Sequence, residues 1–173
     1  VVPNIMRFYG DRAFGGGLNP VDLYMETVQN IRGIQIDIQT SDNFPLADAE
    51  LSRDLENDFE MDFWETEIGF RMVIFSPVGS NITGYNRICC LYFDGDELEP
   101  DPDREIRIEV IDSRILDADR QPQNFNFHDF VAVLGMIGDP NVDWRYSIDD
   151  ILNNVDVVLG WVWYNYFVYW ATD

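Results

Sequence analysis

The stretch GIQIDIQT, residues 33–40, alternates apolar and polar side chains along its length. Ile34, Ile36 and Ile38 therefore lie on one face of an extended chain, and the polar residues between them lie on the other. Such alternation is typical of a strand that packs one face on a core and leaves the other in solvent. The stretch predicts a half-buried β-strand, and its period guides the interpretation of the segments on either side.

Strand-like patterns recur at several other places in the chain. Apolar residues alternate within ETEIGFRMVIFS, residues 65–76, and again within REIRIEVIDSRIL, residues 104–116. NRICCLYFDG (86–95) and FVAVLGMIGDP (130–140) are apolar runs that end at turn signals. The residues predicted to face the core in the two alternating segments are Ile68, Phe70, Met72, Ile74, Ile106, Ile108 and Val110.

Two segments favour short helices. In PLADAELSRDLENDF, Leu51, Leu55 and Phe59 recur at every fourth position with acids between them, which predicts one amphipathic helix. The pattern of RYSIDDILNN, residues 145–154, is ambiguous, and a second short helix is the favoured interpretation.

The overall pattern indicates a β protein. The segment VDLYMETVQN, residues 21–30, fits either a strand or a short helix, and the remaining patterns give about seven or eight strands separated by loops. Strands without regular strand–helix alternation argue for antiparallel sheets. The prediction is a single domain spanning residues 1–173, a mainly β, antiparallel β-sandwich or jelly roll with one or two short helices.

The chain carries 32 acidic against 11 basic residues, a formal net charge of -21, and every base is Arg. A folded domain with such a charge repels itself in dilute salt, whereas molar salt screens its charges to about 3 Å. The composition therefore favours a halophilic origin. Two other causes stay open, namely carboxylates that bind divalent cations and an acidic inhibitor that mimics DNA. Direct nucleic-acid binding is not expected, because it needs a basic surface.

The loop DGDELEPDPDRE, residues 94–105, concentrates carboxylates between two predicted strands. Calcium takes about six to eight oxygen ligands, which such a loop could supply. Glu99 stands where an EF-hand needs Gly, so the sequence favours a solvated loop and predicts no cofactor. Calcium or another cation bound by the loop is the alternative. The candidate metal ligands are Asp94, Asp96, Glu97, Asp101 and Asp103.

No residue pattern predicts catalysis. His128 is the one histidine, and the chain has no Gly-x-Ser-x-Gly motif, so a Ser-His-Asp triad is not indicated. A glycosidase needs a pair of carboxylates, but nothing singles out one pair among so many acids. Cys89 and Cys90 lack metal-ligand spacing and would point to opposite faces of a strand, one into the core and one able to cross-link subunits. The chain is therefore predicted not to be an enzyme.

The stretch VLGWVWYNYFVYW, residues 158–170, is the most apolar part of the chain. Asp156 and Asp173 bracket fewer than the roughly 20 apolar residues that a membrane-spanning helix needs, so no transmembrane segment is expected. As a strand it would be apolar on both faces, and the second face would need cover from this chain or from a neighbouring subunit. Tyr and Trp are enriched in interfaces. The candidate subunit-interface residues are Trp161, Trp163, Tyr164, Tyr166, Phe167, Tyr169 and Trp170.

Since fold does not decide function, the composition and the closing run carry the functional prediction. They predict a non-enzymatic structural subunit of an extracellular assembly, in its most specific form a capsid or other virion protein of a virus that infects a halophilic host. Its partners would be copies of itself and other shell subunits, and its location the virion or the extracellular space. The alternative is a secreted, calcium-assisted carbohydrate-binding β-sandwich module. The third hypothesis is the acidic DNA mimic.

Overall fold

The computed structural model of the chain describes residues 4–10, 13–14, 17–41, 44–98 and 105–135. Every regular element within these ranges is a β-strand, and none of these residues forms a helix long and apolar enough to cross a membrane. The prediction of a mainly β protein is confirmed. In chain order the strands are β1 (Ile5–Tyr9), β2 (Ala13–Phe14), β3 (Leu18–Thr40), β4 (Leu46–Leu51), β5 (Glu60–Thr66), β6 (Gly69–Phe75), β7 (Ile82–Asp94), β8 (Glu105–Asp117), β9 (Pro122–Gln123), β10 (Asn126–His128) and β11 (Phe130–Gly135).

Strand β3 organises the molecule, because it hydrogen-bonds to four other strands. Its first half pairs antiparallel with β1 on one side and with β7 on the other. Its second half pairs antiparallel with β6 on one side and with β8 on the other. The two halves of β3 therefore belong to two different sheets.

The two sheets are defined by these pairings. Sheet 1 contains β10, β1, the first half of β3, β7 and β4, in that order. Sheet 2 contains β5, β6, the second half of β3, β8, β11 and β2, with β9 also paired to β8. The hydrogen bonding is continuous from one sheet to the other only through β3 among the described strands.

The two sheets pack face to face, and the core fills the space between them. The ring centroids of Phe70 on β6 and Phe93 on β7 are 6.0 Å apart, although these two strands do not pair. The Sγ of Cys89 on β7 likewise lies 3.8 Å from the Sδ of Met72 on β6. Phe44 stacks on Phe93 at 5.1 Å between ring centroids. These contacts across the interior make the fold a β-sandwich, as predicted.

The alternation along β3 changes phase where the strand passes from sheet 1 to sheet 2. In the first half the odd-numbered Leu23 and Met25 are fully buried, whereas in the second half the even-numbered Ile36 is fully buried. Ile31 is still fully buried in the odd-numbered phase, and the register against β8 then shifts between Ile31 and Gly33, just before Ile34. A bulge bends a strand and moves the following side chains to the opposite face. The shift at Ile31 and Gly33 therefore keeps an apolar face inward in both sheets. Residues 21–30 belong to strand β3 and are not a helix.

The short helix predicted around Leu51, Leu55 and Phe59 is wrong. Leu51 ends β4, whose backbone pairs with β7, and the chain then makes tight turns over residues 53–58. Leu55 and Phe59 are buried, and the Phe59 N–H donates to the Leu55 carbonyl oxygen at 2.9 Å. Their four-residue spacing therefore reflects a single hydrogen-bonded turn, and both side chains belong to the core. The helix predicted over residues 145–154 lies outside the described residues.

The segment predicted as one strand from residue 65 contains a hairpin turn instead. β5 and β6 pair antiparallel across a turn at Glu67 and Ile68, and Ile68 is exposed at its tip rather than facing the core. Phe70, Met72 and Ile74 do face the core, as the alternation predicts. The alternation identified the strand but not where it begins.

Gly69 allows this hairpin to lie against β3. Its φ is +155°, and a Cβ built on it would lie 2.0 Å from the carbonyl oxygen of Ile38. A backbone oxygen inside a strand cannot move aside without breaking its ladder. The close approach of the two backbones at this point therefore requires glycine.

We expect Gly69→Ala to lower the free energy of unfolding by roughly 3 kcal/mol, because the added methyl group overlaps a backbone carbonyl. Chemical denaturation followed by circular dichroism measures this loss. Gly79→Ala is the matched control, since Gly79 also has a positive φ, +84°, but a Cβ there meets nothing within 4 Å. Gly79→Ala should lower the free energy of unfolding by about 1 kcal/mol. If the two substitutions lower it equally, the steric role of Gly69 is contradicted.

Candidate functional site

The outward face of sheet 1 carries a cluster of tyrosines and charged residues on three adjacent strands. Tyr24 occupies its centre, between the buried Leu23 and Met25 of β3. Directly opposite Tyr24 lie Arg7 on β1 and Arg87 on β7. We call this cluster the tyrosine patch; it consists of Tyr9, Tyr24, Tyr85, Arg7, Arg87, Asp22 and Glu26.

The three tyrosine rings contact one another in a diagonal row across the strands. Tyr85 stacks on Tyr24 with ring centroids 5.3 Å apart and an interplanar angle of 23°. Tyr9 meets Tyr24 edge-on at 5.2 Å and 89°. Such cross-strand pairs hold aromatic rings in place. Because 58% of Tyr85 and 44% of Tyr9 are exposed, the row presents fixed aromatic surface to solvent.

Two ion pairs flank the rings. Arg87 Nε donates to Asp22 Oδ1 at 2.8 Å, and Arg87 Nη2 lies 2.5 Å from the same oxygen. Arg7 Nη2 lies 3.8 Å from Glu26 Oε2, and Arg7 Nη1 donates to the Tyr9 hydroxyl at 3.3 Å. With two cations and two anions, the patch has no net charge, whereas the chain as a whole has a net charge of -21.

The hydroxyl of Tyr85 stays protonated near neutral pH. Although much of the side chain is exposed, partial desolvation and, next, a hydrogen bond with Tyr9 raise the pKa of Tyr85. Tyr85 therefore offers a neutral hydroxyl group that can donate and accept hydrogen bonds.

The adjacent cysteines lie on opposite faces of β7, as the sequence predicts. Cys89 pairs in register with Leu23 and lies in the core, whereas Cys90 pairs with Asp22 beside the tyrosine patch. Both thiols are free and buried, and burial raises the pKa of each. A thiol that cross-links subunits needs exposure and thiolate character. The surroundings of Cys90 therefore disfavour an intersubunit disulfide.

The outward face of sheet 2 is organised around a single bidentate ion pair. Arg71 on β6 donates from Nε and Nη2 to the two carboxylate oxygens of Asp37 on β3, at 2.5 and 2.6 Å. The hydrogen bond from Arg71 holds the pKa of Asp37 below its ordinary value. Trp64, opposite Arg71, is 45% exposed, and Phe75 on the same face of β6 is 42% exposed. This face also has aromatic surface, but no described ring–ring contact joins its aromatic residues.

The acidic loop uses two of its predicted metal ligands for local structure. Asp94 Oδ1 accepts a hydrogen bond from the Asp96 N–H at 2.8 Å, and Asp96 Oδ1 accepts one from the Gly17 N–H at 2.6 Å. These bonds tie the loop to the start of β3. Glu97 is exposed, and within the described ranges no group of His, Cys, Asp or Glu is arranged to hold a metal ion. Asp101 and Asp103 lie outside those ranges, so the calcium site stays a prediction.

The remaining predicted residues fall in two places. His128 lies exposed on β10, where its Cα pairs with that of Arg7 at the edge of the tyrosine patch. The predicted subunit-interface residues, from Trp161 to Trp170, all lie outside the described residues, and their role stays a prediction.

The tyrosine patch is the part of the surface that the sequence patterns miss. Within IMRFY, Arg7 and Tyr9 alternate with the buried Met6 and Phe8, so their outward direction could be read from the alternation. What could not be read is their position beside Tyr24, because register between strands is set by the folded sheet.

Comparison with known proteins gives the fold a name. No family model and no curated protein sequence matches this chain. Among solved structures, a non-cellulosomal cohesin from the hyperthermophilic archaeon Archaeoglobus fulgidus matches with a TM-score of 0.62 and 12% identity, covering 77% of this chain and 91% of that one. The chain has a cohesin-like fold.

Two further structures agree with this result. In a type I cohesin–dockerin complex from Clostridium thermocellum, the matched chain has a TM-score of 0.61 and 10% identity, with 79% of this chain and 97% of that one covered. The cohesin module of a family 33 glycoside hydrolase from Clostridium perfringens matches with a TM-score of 0.63 and 9% identity. The match covers 78% of this chain and 98% of that one. At these identities the cohesin likeness establishes the fold and not the partner.

We expect Arg71→Gln to lower the free energy of unfolding at neutral pH and to change its pH dependence. Because the pKa of Asp37 is lowered in the folded chain, the ion pair stabilises the fold above the ordinary aspartate pKa of about 4 and loses that effect as the pH falls further. The difference between wild type and variant, measured by denaturation at several pH values, should therefore shrink in acid.

Arg107→Gln is the matched control for this experiment. Arg107 lies 3.9 Å from Glu105, and both side chains are more than half exposed, so their pair adds little stability. If the difference in free energy of unfolding between the wild type and Arg71→Gln stays constant down to pH 2, the proposed role of the Asp37 carboxylate is contradicted.

Proposed function

We propose that this chain is a non-enzymatic protein-binding module of an extracellular assembly, and that the tyrosine patch is its contact surface. The observation that carries the proposal is the row of Tyr9, Tyr24 and Tyr85, in which the half-buried central ring contacts two exposed outer rings. Tyr and Arg are the residue types that most often dominate the binding energy of protein interfaces. The rings are already held by one another, so a partner would not have to order them.

The cohesin-like fold supports the proposal in general terms. Several of the matched structures are complexes in which a cohesin is bound to a dockerin, so this sandwich does serve as a protein-binding module in other chains. Fold alone does not transfer a partner. The surface chemistry of the tyrosine patch is therefore the argument for this chain.

A more specific form of the proposal is a virion or other shell subunit from a halophilic environment. Its support is compositional: a net charge of -21, with Arg as the one basic residue type, suits a surface that stays hydrated in concentrated salt. The closing aromatic run would add a second contact with other shell subunits. Nothing about the cohesin-like fold favours a capsid over another extracellular assembly.

A carbohydrate-binding module is the second candidate, and the exposed faces of Tyr9 and Tyr85 are what favour it. Rings with charged hydrogen-bonding neighbours suit sugars as well as proteins. The stacking of Tyr24 on Tyr85 leaves less free ring surface for a sugar, which is why a protein partner is preferred.

Photo-crosslinking tests the nature of the partner. With p-benzoylphenylalanine in place of Tyr85, irradiation in the extracellular fraction of the encoding organism should give one discrete protein adduct, identified by mass spectrometry. The same residue in place of Phe75, which is similarly exposed on the opposite face of the sandwich, should give no such adduct. Adducts with glycans alone would favour the second candidate, and equal protein adducts from both positions would count against the patch.

Sedimentation tests the shell-subunit form separately. A shell subunit of this charge should form large particles in about 2 M NaCl, where repulsion is screened, and should dissociate in dilute buffer. Analytical ultracentrifugation across a salt series gives the particle size. Sedimentation as a small species at every salt concentration would rule out the shell-subunit form while leaving the binding-module proposal intact.

A further inference from the structure

We infer that the partner of the tyrosine patch is a second copy of this chain, bound face to face with the strands of the two patches crossing at about 90°. The inference rests on the proposed function and names the partner and the geometry of the same site. Three observations carry it, namely the charge balance of the patch, the arrangement of its charges and the exposure of its rings.

The charge balance makes the patch a place where two such acidic chains can meet. The chain has almost three acids for every base, so most of its surface repels another copy. Within the patch, Arg7 and Arg87 balance Asp22 and Glu26. Among the residues of the patch, a second copy meets no excess of like charge, whereas Asp48 and Glu50 on β4 add acids at the rim of the same face. A strongly basic partner, in contrast, would gain more from almost any other part of the surface.

The Cα positions of the charged residues form two perpendicular rows that cross at Tyr24. Along β3 the row reads Asp22, Tyr24, Glu26, with both acids on the strand itself. Across the strands the row reads Arg7, Tyr24, Arg87, because each arginine lies opposite Tyr24 on a neighbouring strand. The acids therefore run with the strands and the arginines run across them.

This arrangement selects one way for two copies to meet. With their strands aligned, the arginine row of one copy lies over the arginine row of the other, and like charges oppose. With their strands crossed at about 90°, the arginine row of each copy lies over the acid row of the other, and Tyr24 meets Tyr24 at the centre. Orthogonal crossing is one of the two common ways in which sheets pack face to face.

The rings supply the apolar contact in the same arrangement. Tyr9 and Tyr85 lie on one diagonal of the patch, opposite Asp22 and Glu26 respectively. A two-fold axis at 45° to the strands brings this diagonal onto its copy in the partner, so rings lie over rings. The two copies then form an isologous contact, in which each residue type meets its complement.

Complementary charge reversal tests the inference on the whole chain. Variant A is Arg7→Glu with Arg87→Glu, and variant B is Asp22→Arg with Glu26→Arg. In about 1 M NaCl, each variant alone should bind itself at least about 100-fold more weakly than the wild type binds itself. An equimolar mixture of A and B should form heterodimers with an affinity within about tenfold of the wild type. Sedimentation velocity with one variant fluorescently labelled measures both.

Ring substitutions give a test that keeps the ion pairs intact, and circular dichroism with thermal melting establishes that each variant is folded. Tyr85→Ser should weaken dimerisation at least about tenfold, whereas Phe75→Ser on the outward face of sheet 2 should leave it unchanged. If A and B both fail to fold, this pair of variants decides the question.

Three results would overturn the inference: a wild-type chain that is monomeric at every concentration and salt strength, a mixture of folded A and B that stays monomeric, or a dimer that is insensitive to Tyr85→Ser. None of them would remove the protein-binding proposal, because the photo-crosslink from position 85 reports any protein partner. A crosslink to a different protein together with a monomeric chain would separate the two.

Discussion

The backbone hydrogen bonds of β3 join the two sheets of the described part of the chain. Each half of the strand has neighbours on both sides, so its amide and carbonyl groups are satisfied within two sheets. Because β3 is common to both layers, it also sets where their outward faces lie. Tyr24 in its first half carries the centre of the tyrosine patch, and Asp37 in its second half carries the ion pair with Arg71.

The two outward faces differ in the way their polar groups are used. On sheet 2 the guanidinium and carboxylate of Arg71 and Asp37 satisfy each other in a closed bidentate pair. On sheet 1 the pairs of Arg7 with Glu26 and of Arg87 with Asp22 each use one carboxylate oxygen. Open pairs beside exposed rings retain hydrogen-bonding capacity for a partner, whereas a closed pair stabilises the face on which it lies.

The mainly β class of the protein could be predicted from the sequence, because successive side chains of a strand point to opposite faces and the sequence alternates accordingly. The Ile34 to Ile38 stretch, the inward side of β6 and the opposite directions of Cys89 and Cys90 all follow from it. The error at Leu55 and Phe59 arose because a single closed turn has the same spacing as a helix. Ile68 was misplaced because a two-residue turn interrupts an otherwise continuous alternation.

The tyrosine patch could not be predicted from the sequence, for a different reason. Tyr9, Tyr24 and Tyr85 come from three separate segments, and only the register of β1 and β7 against β3 brings them together. The register against β7 includes a shift between Leu23 and Tyr24, which no local sequence pattern specifies. The acidic loop, by contrast, could be recognised, although the use of Asp96 to hold the Gly17 backbone could not.

The order of β3 and its partners along the chain has a consequence for how the protein folds. Of its four partners, β1 alone precedes it, and the pairing of its second half is complete only when β8, which ends at Asp117, has been made. During synthesis the apolar face and the backbone groups of β3 therefore stay partly unpaired until its later partner strands have been made. Contacts so distant in sequence slow folding and leave strand edges open to other chains in the meantime. The dense carboxylates at outward and loop positions would hold such incompletely folded chains apart by electrostatic repulsion.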